Sequence, residues 1–146
     1  MTVVRPARSN DWEEICGVLV AAGLPVADLA GQFPRAFVVV LEGGEKIVGV
    51  AGLEVYEDTG LLRSVAVAAS HRNEGLGRNL IEDRLRAARA QQLSQIYLLT
   101  STAAEYFARL GFERVPRYAA PDALAHHSEF TTICAASAAC MRLLRG

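Results

Sequence analysis

The chain has 146 residues, 51% of them hydrophobic, which is enough to fill the core of one domain spanning residues 1–146. Its 15 basic and 16 acidic residues leave a net charge of −1, with no block of like charge, so nothing invites nucleic acid or a membrane surface. No apolar run reaches about 18 residues, the N-terminus lacks a signal-peptide pattern, and three cysteines suit a reducing, cytoplasmic setting better than a disulfide framework.

The predicted elements alternate along the chain. Thr2 to Arg5 reads as a short strand stopped by Pro6. Asn10 and Glu13 have capping-box spacing, and Trp12, Ile15, Cys16 and Leu19 then share a helical face, which makes Cys16 a core residue. Leu24-Pro25 breaks that helix, and Val26 to Phe33 reads as a second short one. Ala36 to Glu42, Lys46 to Tyr56 and Leu61 to Ala68 follow as strands joined by Gly43-Gly44 and by Asp58-Thr59-Gly60, an antiparallel meander. Next comes a helix that buries Leu76, Leu80, Ile81, Leu85 and Ala88 and turns Arg78, Glu82, Asp83, Arg86 and Arg89 outward. Gln95 to Thr100 is a strand, Ala103 to Leu110 a helix with Gly111 as its C-cap, Phe112 to Val115 a strand, Pro121 to Ala125 a helical turn and Cys140 to Leu144 a last strand.

Two glycines stand where the third meander strand hands over to a helix. A helix N-terminus offers unpaired N–H groups and partial positive charge, and Gly75 and Gly77 would let a diphosphate approach the backbone, with Arg72 as a charged donor. A turn that merely needs positive φ is the competing reading. The dinucleotide pattern Gly-x-Gly-x-x-Gly is not met, because Leu80 holds the third position.

Arg72-Asn73-Glu74-Gly75-Leu76-Gly77 resembles the acetyl-CoA signature of the GNAT N-acetyltransferases, and Phe107-Ala108-Arg109-Leu110-Gly111-Phe112 falls where that superfamily places a similar stretch. More narrowly, Gly52-Leu53-Glu54-Val55-Tyr56, the strand Gly60 to Val67, Tyr97 to Thr100 and Cys134 to Met141 resemble the small acetyltransferases found with arsenic-resistance operons. The resemblance implies a mixed α/β fold: a mostly antiparallel seven-stranded sheet, splayed between strands 4 and 5 and flanked by about four helices. Acetyl-CoA would lie in the splay as co-substrate, with no metal. Its pantetheine would pair with Val65, Ala66 and Val67, its diphosphate would sit over Arg72, Asn73, Glu74, Gly75, Leu76, Gly77 and Arg78, and Thr100 and Phe107 would line it. Glu74, a carboxylate in that turn, should face solvent.

The implied reaction is direct acetyl transfer to a primary amine, which needs a base for the amine and favours an acid for the thiolate. The family often places a tyrosine at the position of Phe107; the neighbouring Tyr106 points about 100° away on a helix, which leaves the acid to Tyr56, Tyr118 or a water. Glu54 is the candidate base, sharing a strand face with Tyr56, and a structural salt bridge to Arg63 is its other reading. Arg63, Ser64 and Ser101 are the candidate acceptor contacts, Arg63 as a clamp on a carboxylate, which would favour an amino acid or an arsenic-containing analogue. Thr100 and Thr102 could equally be strand-end caps. Cys134 and Cys140 could bind a trivalent arsenical or simply be small buried residues, and His126-His127-Ser128-Glu129 reads as the lip of the acceptor pocket rather than a metal site. A small-amine acetyltransferase and a non-catalytic acyl-CoA sensor both fit, and the oligomeric state is open, a homodimer included.

Overall fold

The computed structural model describes residues 2–127, 129–130 and 137–144. Seven strands form one sheet in the order β1-β2-β3-β4-β5-β7-β6. They are β1 (Thr2–Pro6), β2 (Phe37–Glu42), β3 (Lys46–Tyr56), β4 (Thr59–Val67), β5 (Gln95–Thr100), β6 (Glu113–Arg114) and β7 (Ala139–Leu144). The helices are α1 (Trp12–Ala21), α2 (Leu76–Ala90), α3 (Ala104–Arg109) and the single turn α4 (Asp122–Ala125). All neighbours pair antiparallel except β4 and β5. The mixed α/β architecture read from the sequence is therefore the one observed.

Helices cover both faces, and β2 shows why the sheet needs them. Its run Phe37-Val38-Val39-Val40-Leu41 is apolar at every position, so neither face tolerates water. Phe37, Val39 and Leu41 pack with Ile15 and Leu19 of α1, while Val38 and Val40 pack with Leu76 and Leu80 of α2. Of the predicted α2 face, Leu76, Leu80, Ile81 and Ala88 are buried and Leu85 half-buried. Gly52 of β3 makes room for the Phe37 ring, since a Cβ there would lie 2.5 Å from Phe37 Cε2. Gly52→Ala is therefore expected to cost about 1–3 kcal/mol through overpacking, read as a lower urea midpoint with an unchanged slope.

Several local expectations shift for identifiable reasons. The helix entry is fixed not by Asn10 but by Asp11, whose carboxylate accepts the Arg8 N–H at 2.7 Å and two Arg5 donors at 2.7 and 3.1 Å. Between Val26 and Phe33 only a 3-10 turn, Leu29–Gln32, forms instead of a helix. Its Gln32 side chain exchanges two hydrogen bonds with the Val55 backbone, at 2.9 and 3.1 Å, and so acts as a strand neighbour. The turn between β3 and β4 is Glu57-Asp58, with Thr59 and Gly60 already in β4. β6 is shorter than Phe112 to Val115.

The site comes from the one parallel pair. β4 and β5 share a ladder only over Thr59–Leu61 and Gln95–Tyr97, then run on unpaired with each other to Val67 and Thr100. The β4 edge from Leu62 onward is left facing a cleft.

Candidate functional site

That cleft has a volume of about 540 Å³. Leu62 to Val65 of β4 form one wall, Leu98 to Thr100 of β5 and Tyr106 and Phe107 of α3 the other, with Ala22 to Pro25 and Ala138 at the margins. A β-bulge sits in the first wall: pairing with β3 jumps from Gly52↔Arg63 to Val50↔Ala66, and Ser64 takes φ +57°. A bulge leaves backbone groups outside the ladder and re-aims the strand, here at the cleft.

Past Val67 the chain enters the glycine turn. Asn73 (φ +68°) and Gly75 (φ +80°) are both left-handed, and Gly75 is the N-cap of α2 with no side-chain cap. Such a turn gathers backbone N–H groups into a concave anion seat, and the α2 dipole adds to it. The two glycines serve different ends. Gly75 supplies the φ, whereas Gly77 has an ordinary φ and a Cβ there would meet only Val67 Cγ2 at 3.7 Å. Arg72 donates Nε to Val67 O at 3.1 Å, which pins the turn to the strand end. Glu74 is exposed, as expected, and Arg78 is exposed and paired with Glu82. The sequence reading missed His71, which is buried and joins Glu42 of β2 to this turn at 2.6 Å.

The Thr100 hydroxyl accepts the N–H of Ala103, the residue leading into α3, at 3.0 Å. Ser101 and Thr102 line the cleft beyond it. Phe107 packs edge-on to Phe112 and to Tyr106. Although their rings diverge, Tyr106 and Phe107 both line the cleft, and Tyr106 Oη is buried with no hydrogen-bond partner among the described residues. Tyr118 is 90% exposed and outside the cleft lining, and the candidate catalytic residues Glu54 and Tyr56 are outside it as well.

Behind the β4 wall lies a buried charged cluster. The Arg63 side chain is 0% exposed. Its Nη1 and Nη2 bind both Asp28 oxygens at 2.8 and 2.6 Å, Nη1 reaches Glu54 at 3.3 Å, and Nε reaches Glu129 at 3.2 Å and Ser64 Oγ at 3.0 Å. Arg63 borders the cleft, but its fork is occupied by the protein's own carboxylates, so the geometry presents a filled guanidinium where the sequence suggested an acceptor clamp. Glu54 Oε1 accepts from Tyr56 Oη at 2.6 Å and faces His127 Nε2 at 2.9 Å. The Glu129 N–H donates to His127 Nδ1 at 3.0 Å, so Nε2 carries the ring hydrogen and donates to Glu54. Asp28 was not singled out from the sequence; an aspartate in an apolar stretch was the only signal.

The cluster sets its own protonation. Burial alone would raise the Glu54 carboxyl, but hydrogen bonds from His127 and Tyr56 and the Arg63 charge outweigh it and hold Glu54 below the usual carboxylate range. Burial, then the Glu54 hydrogen bond and charge, pushes the Tyr56 phenol well above its ordinary value. Burial raises the Glu129 carboxyl, with Arg63 opposing. Among the described residues no group of side chains is arranged to hold a metal ion, and no helix is long and apolar enough to cross a membrane. Cys140 is buried beside Leu61 and Tyr97; Cys134 lies outside the described residues.

Comparison with known proteins bears on this cleft. The family model of the acetyltransferase (GNAT) domain matches residues 34–114, more than half of the chain. The amino-acid acetyltransferase of Mycobacterium tuberculosis is 37% identical over 71 residues, a match spanning 48% of this chain and 40% of that protein. The crystal structure of Rv2747 from Mycobacterium tuberculosis in complex with CoA and NLQ superposes with a TM-score of 0.83 at 25% identity, covering 99% of each chain. N-acetylglutamate synthase from Neisseria gonorrhoeae, complexed with coenzyme A and N-acetyl-glutamate, shares the fold at a TM-score of 0.84 and 18% identity, over 99% of this chain and 35% of that one.

Proposed function

The chain belongs to the GNAT acetyltransferase family, and on that premise we propose that it moves acetyl from acetyl-CoA to the primary amine of a small molecule by direct attack. The observation that carries this reading is the β4 strand itself: its open edge lines the cleft at Leu62 to Val65, and its end at Val67 is tied by Arg72 to an uncapped helix N-terminus built on Asn73 and Gly75. Pantetheine pairs along Val65 to Val67 as an added strand, and the diphosphate settles on the N–H groups of Arg72 to Arg78. Thr100 and Phe107 form the facing wall, and Ser64 and Ser101 offer hydroxyls to the acceptor.

In this reading the amine nitrogen attacks the thioester carbonyl, the C–S bond breaks, and one proton must leave the amine while one reaches the thiolate. Glu54, held ionised and 3.3 Å from the cleft-lining Arg63, is the proton's destination; because neither Glu54 nor Tyr56 lines the cleft, a water carries the amine's proton to Tyr56, which passes its own across the 2.6 Å hydrogen bond. Tyr106, whose buried hydroxyl lacks a partner among the described residues, is the phenol available to the thiolate in place of the missing tyrosine at Phe107. Glu54→Gln and Tyr106→Phe are each expected to lower turnover on the order of 10²-fold with CoA affinity intact. Free thiol released with a panel of amines, beside a CoA titration of each variant, reads this; wild-type turnover in both variants removes the assignments.

The finer acceptor reading is an amino acid or an arsenic-containing amino-acid analogue, supported by the 37%-identical relative named for amino-acid acetylation and by the resemblance of Gly52–Tyr56 and Gly60–Val67 to the arsenic-linked acetyltransferases. The amine panel therefore includes both. We place the reaction in the cytoplasm on cysteine usage. A second reading, an acyl-CoA-binding module without turnover, draws on one observation: Phe107 stands where a tyrosine would serve. CoA binding without thiol release from any amine would establish it.

A further inference from the structure

Both ends of the glycine turn stand on one strand. At the far end Leu76 and Leu80, in the first turns of α2, pack with Val38 and Val40 of β2. At the near end the buried His71 ring reaches Glu42, the last residue of β2, through Nε2 at 2.6 Å. Arg72, Asn73, Glu74 and Gly75 span the two anchors, and two of the four, Asn73 and Gly75, hold a left-handed φ. The ring is fixed at its other nitrogen too, with Nδ1 2.7 Å from Ser70 Oγ. A carboxylate only accepts, so Nε2 carries the hydrogen and donates it to Glu42. Both ring nitrogens are thus engaged within the protein, and neither is left for a ligand.

We infer that the His71–Glu42 pair is a tether that fixes the amide seat before CoA arrives, which makes His71 and Glu42 positioning residues for the donor's diphosphate. This deepens the acetyltransferase reading and rests on it for where the diphosphate lies. The physical reason is pre-organisation. Left-handed φ is costly for a residue with a Cβ, so without its near anchor Asn73 would relax to commoner conformations and scatter the N–H groups beside it. A ligand that binds only the assembled turn then loses affinity in proportion to the time the turn is disassembled. The other ties do not replace this one. The Ala68 N–H, bonded to Val48 O at 2.8 Å, holds the chain before the turn begins. The Arg72 bond to Val67 O joins the turn to its own strand, not across the sheet to β2.

Calorimetric titration with CoA, acetyl-CoA kinetics and amide hydrogen exchange test the tether in His71→Phe, His71→Gln and Glu42→Ala. Phenylalanine keeps the bulk of the ring and loses both nitrogens, whereas glutamine can still donate to Glu42. His71→Phe and Glu42→Ala should each raise the CoA dissociation constant at least tenfold, and together no further than either alone. His71→Gln should stay within threefold of wild type. In turnover the loss should fall on KM for acetyl-CoA with kcat within twofold, a split that a general loss of folded protein would not produce. Exchange in the unliganded His71→Phe and Glu42→Ala proteins should speed at least tenfold in residues 71–75 and stay unchanged in residues 80–88. Wild-type CoA affinity in Glu42→Ala overturns the proposal; that side chain is half-exposed, so the variant serves even if His71→Phe does not fold. Equal losses in His71→Gln and His71→Phe also overturn it, since ring shape and not the bond to Glu42 would then be responsible. A wild-type protein that binds no CoA would overturn the acetyltransferase reading itself, and this proposal with it.

Discussion

Gly77→Val is expected to raise the dissociation constant for CoA by roughly ten- to hundredfold, with the fold intact. The separation of these effects comes from where Gly77 sits. Its φ is ordinary and an added Cβ meets only Val67 Cγ2 at 3.7 Å, so the unliganded protein has room for a side chain. A helix position also gains rather than loses intrinsic stability when glycine is replaced. What the branched side chain removes is the approach of a ligand to the helix N-terminus. Gly75→Ala should show the opposite signature, because its φ of +80° is costly for any residue with a Cβ, about 1–2 kcal/mol of stability. Calorimetric titration with CoA beside thermal melts separates the two. Wild-type CoA affinity in Gly77→Val would show that the diphosphate lies elsewhere.

Arg63→Met should be the most destabilising single change at the site, about 3–5 kcal/mol, with a fall in Tm of roughly 10 °C. Methionine fills the space but leaves the buried Glu54 and Glu129 and the half-buried Asp28 without their shared cation. The pH dependence carries the sign. In wild type Glu54 is held below its ordinary range, so its contribution is present above the unfolded carboxyl pKa and is lost as pH falls through its lower folded value. In the variant the same carboxyl keeps its His127 and Tyr56 hydrogen bonds but loses the Arg63 charge, so it should titrate higher than in wild type and contribute less stability at neutral pH, a difference that vanishes once the carboxyl is protonated in both proteins. The deficit should therefore shrink as pH drops below about 4.5. Urea unfolding at neutral and acid pH checks this; an equal deficit at both would mean that lost packing, not unpaired charge, is responsible.

The clamp on an acceptor carboxylate and the structural pair with Glu54 were both legible for Arg63, because β3 and β4 are adjacent in sequence and strand alternation puts the two side chains within reach. What its guanidinium meets was decided in space by Asp28, 35 residues away, and by Glu129, 66 residues on. Asp28 carries no periodic or motif signal and lies in a segment whose apolar residues read as helix, while Glu129 was legible only as part of the pocket lip read from His126 to Glu129. That segment forms only a 3-10 turn, since Gln32 and Asp28 are drawn to β3 and β4 and the backbone follows its side chains.

Periodicity and turn chemistry by themselves determined the meander, the α2 face and the glycine turn, because those signals are local: a strand alternates and a helix repeats wherever it packs; the seven-stranded mixed sheet and its splay were legible only through the family resemblance. The bulge at Ser64, the shared wall of Tyr106 and Phe107, and the gathering of Asp28, Glu54 and Glu129 about Arg63 were decided only by tertiary structure. Register, chain divergence and ion pairing depend on which segments meet, and burial turns a pair of charges that would be worth little at the surface into a constraint on the whole site.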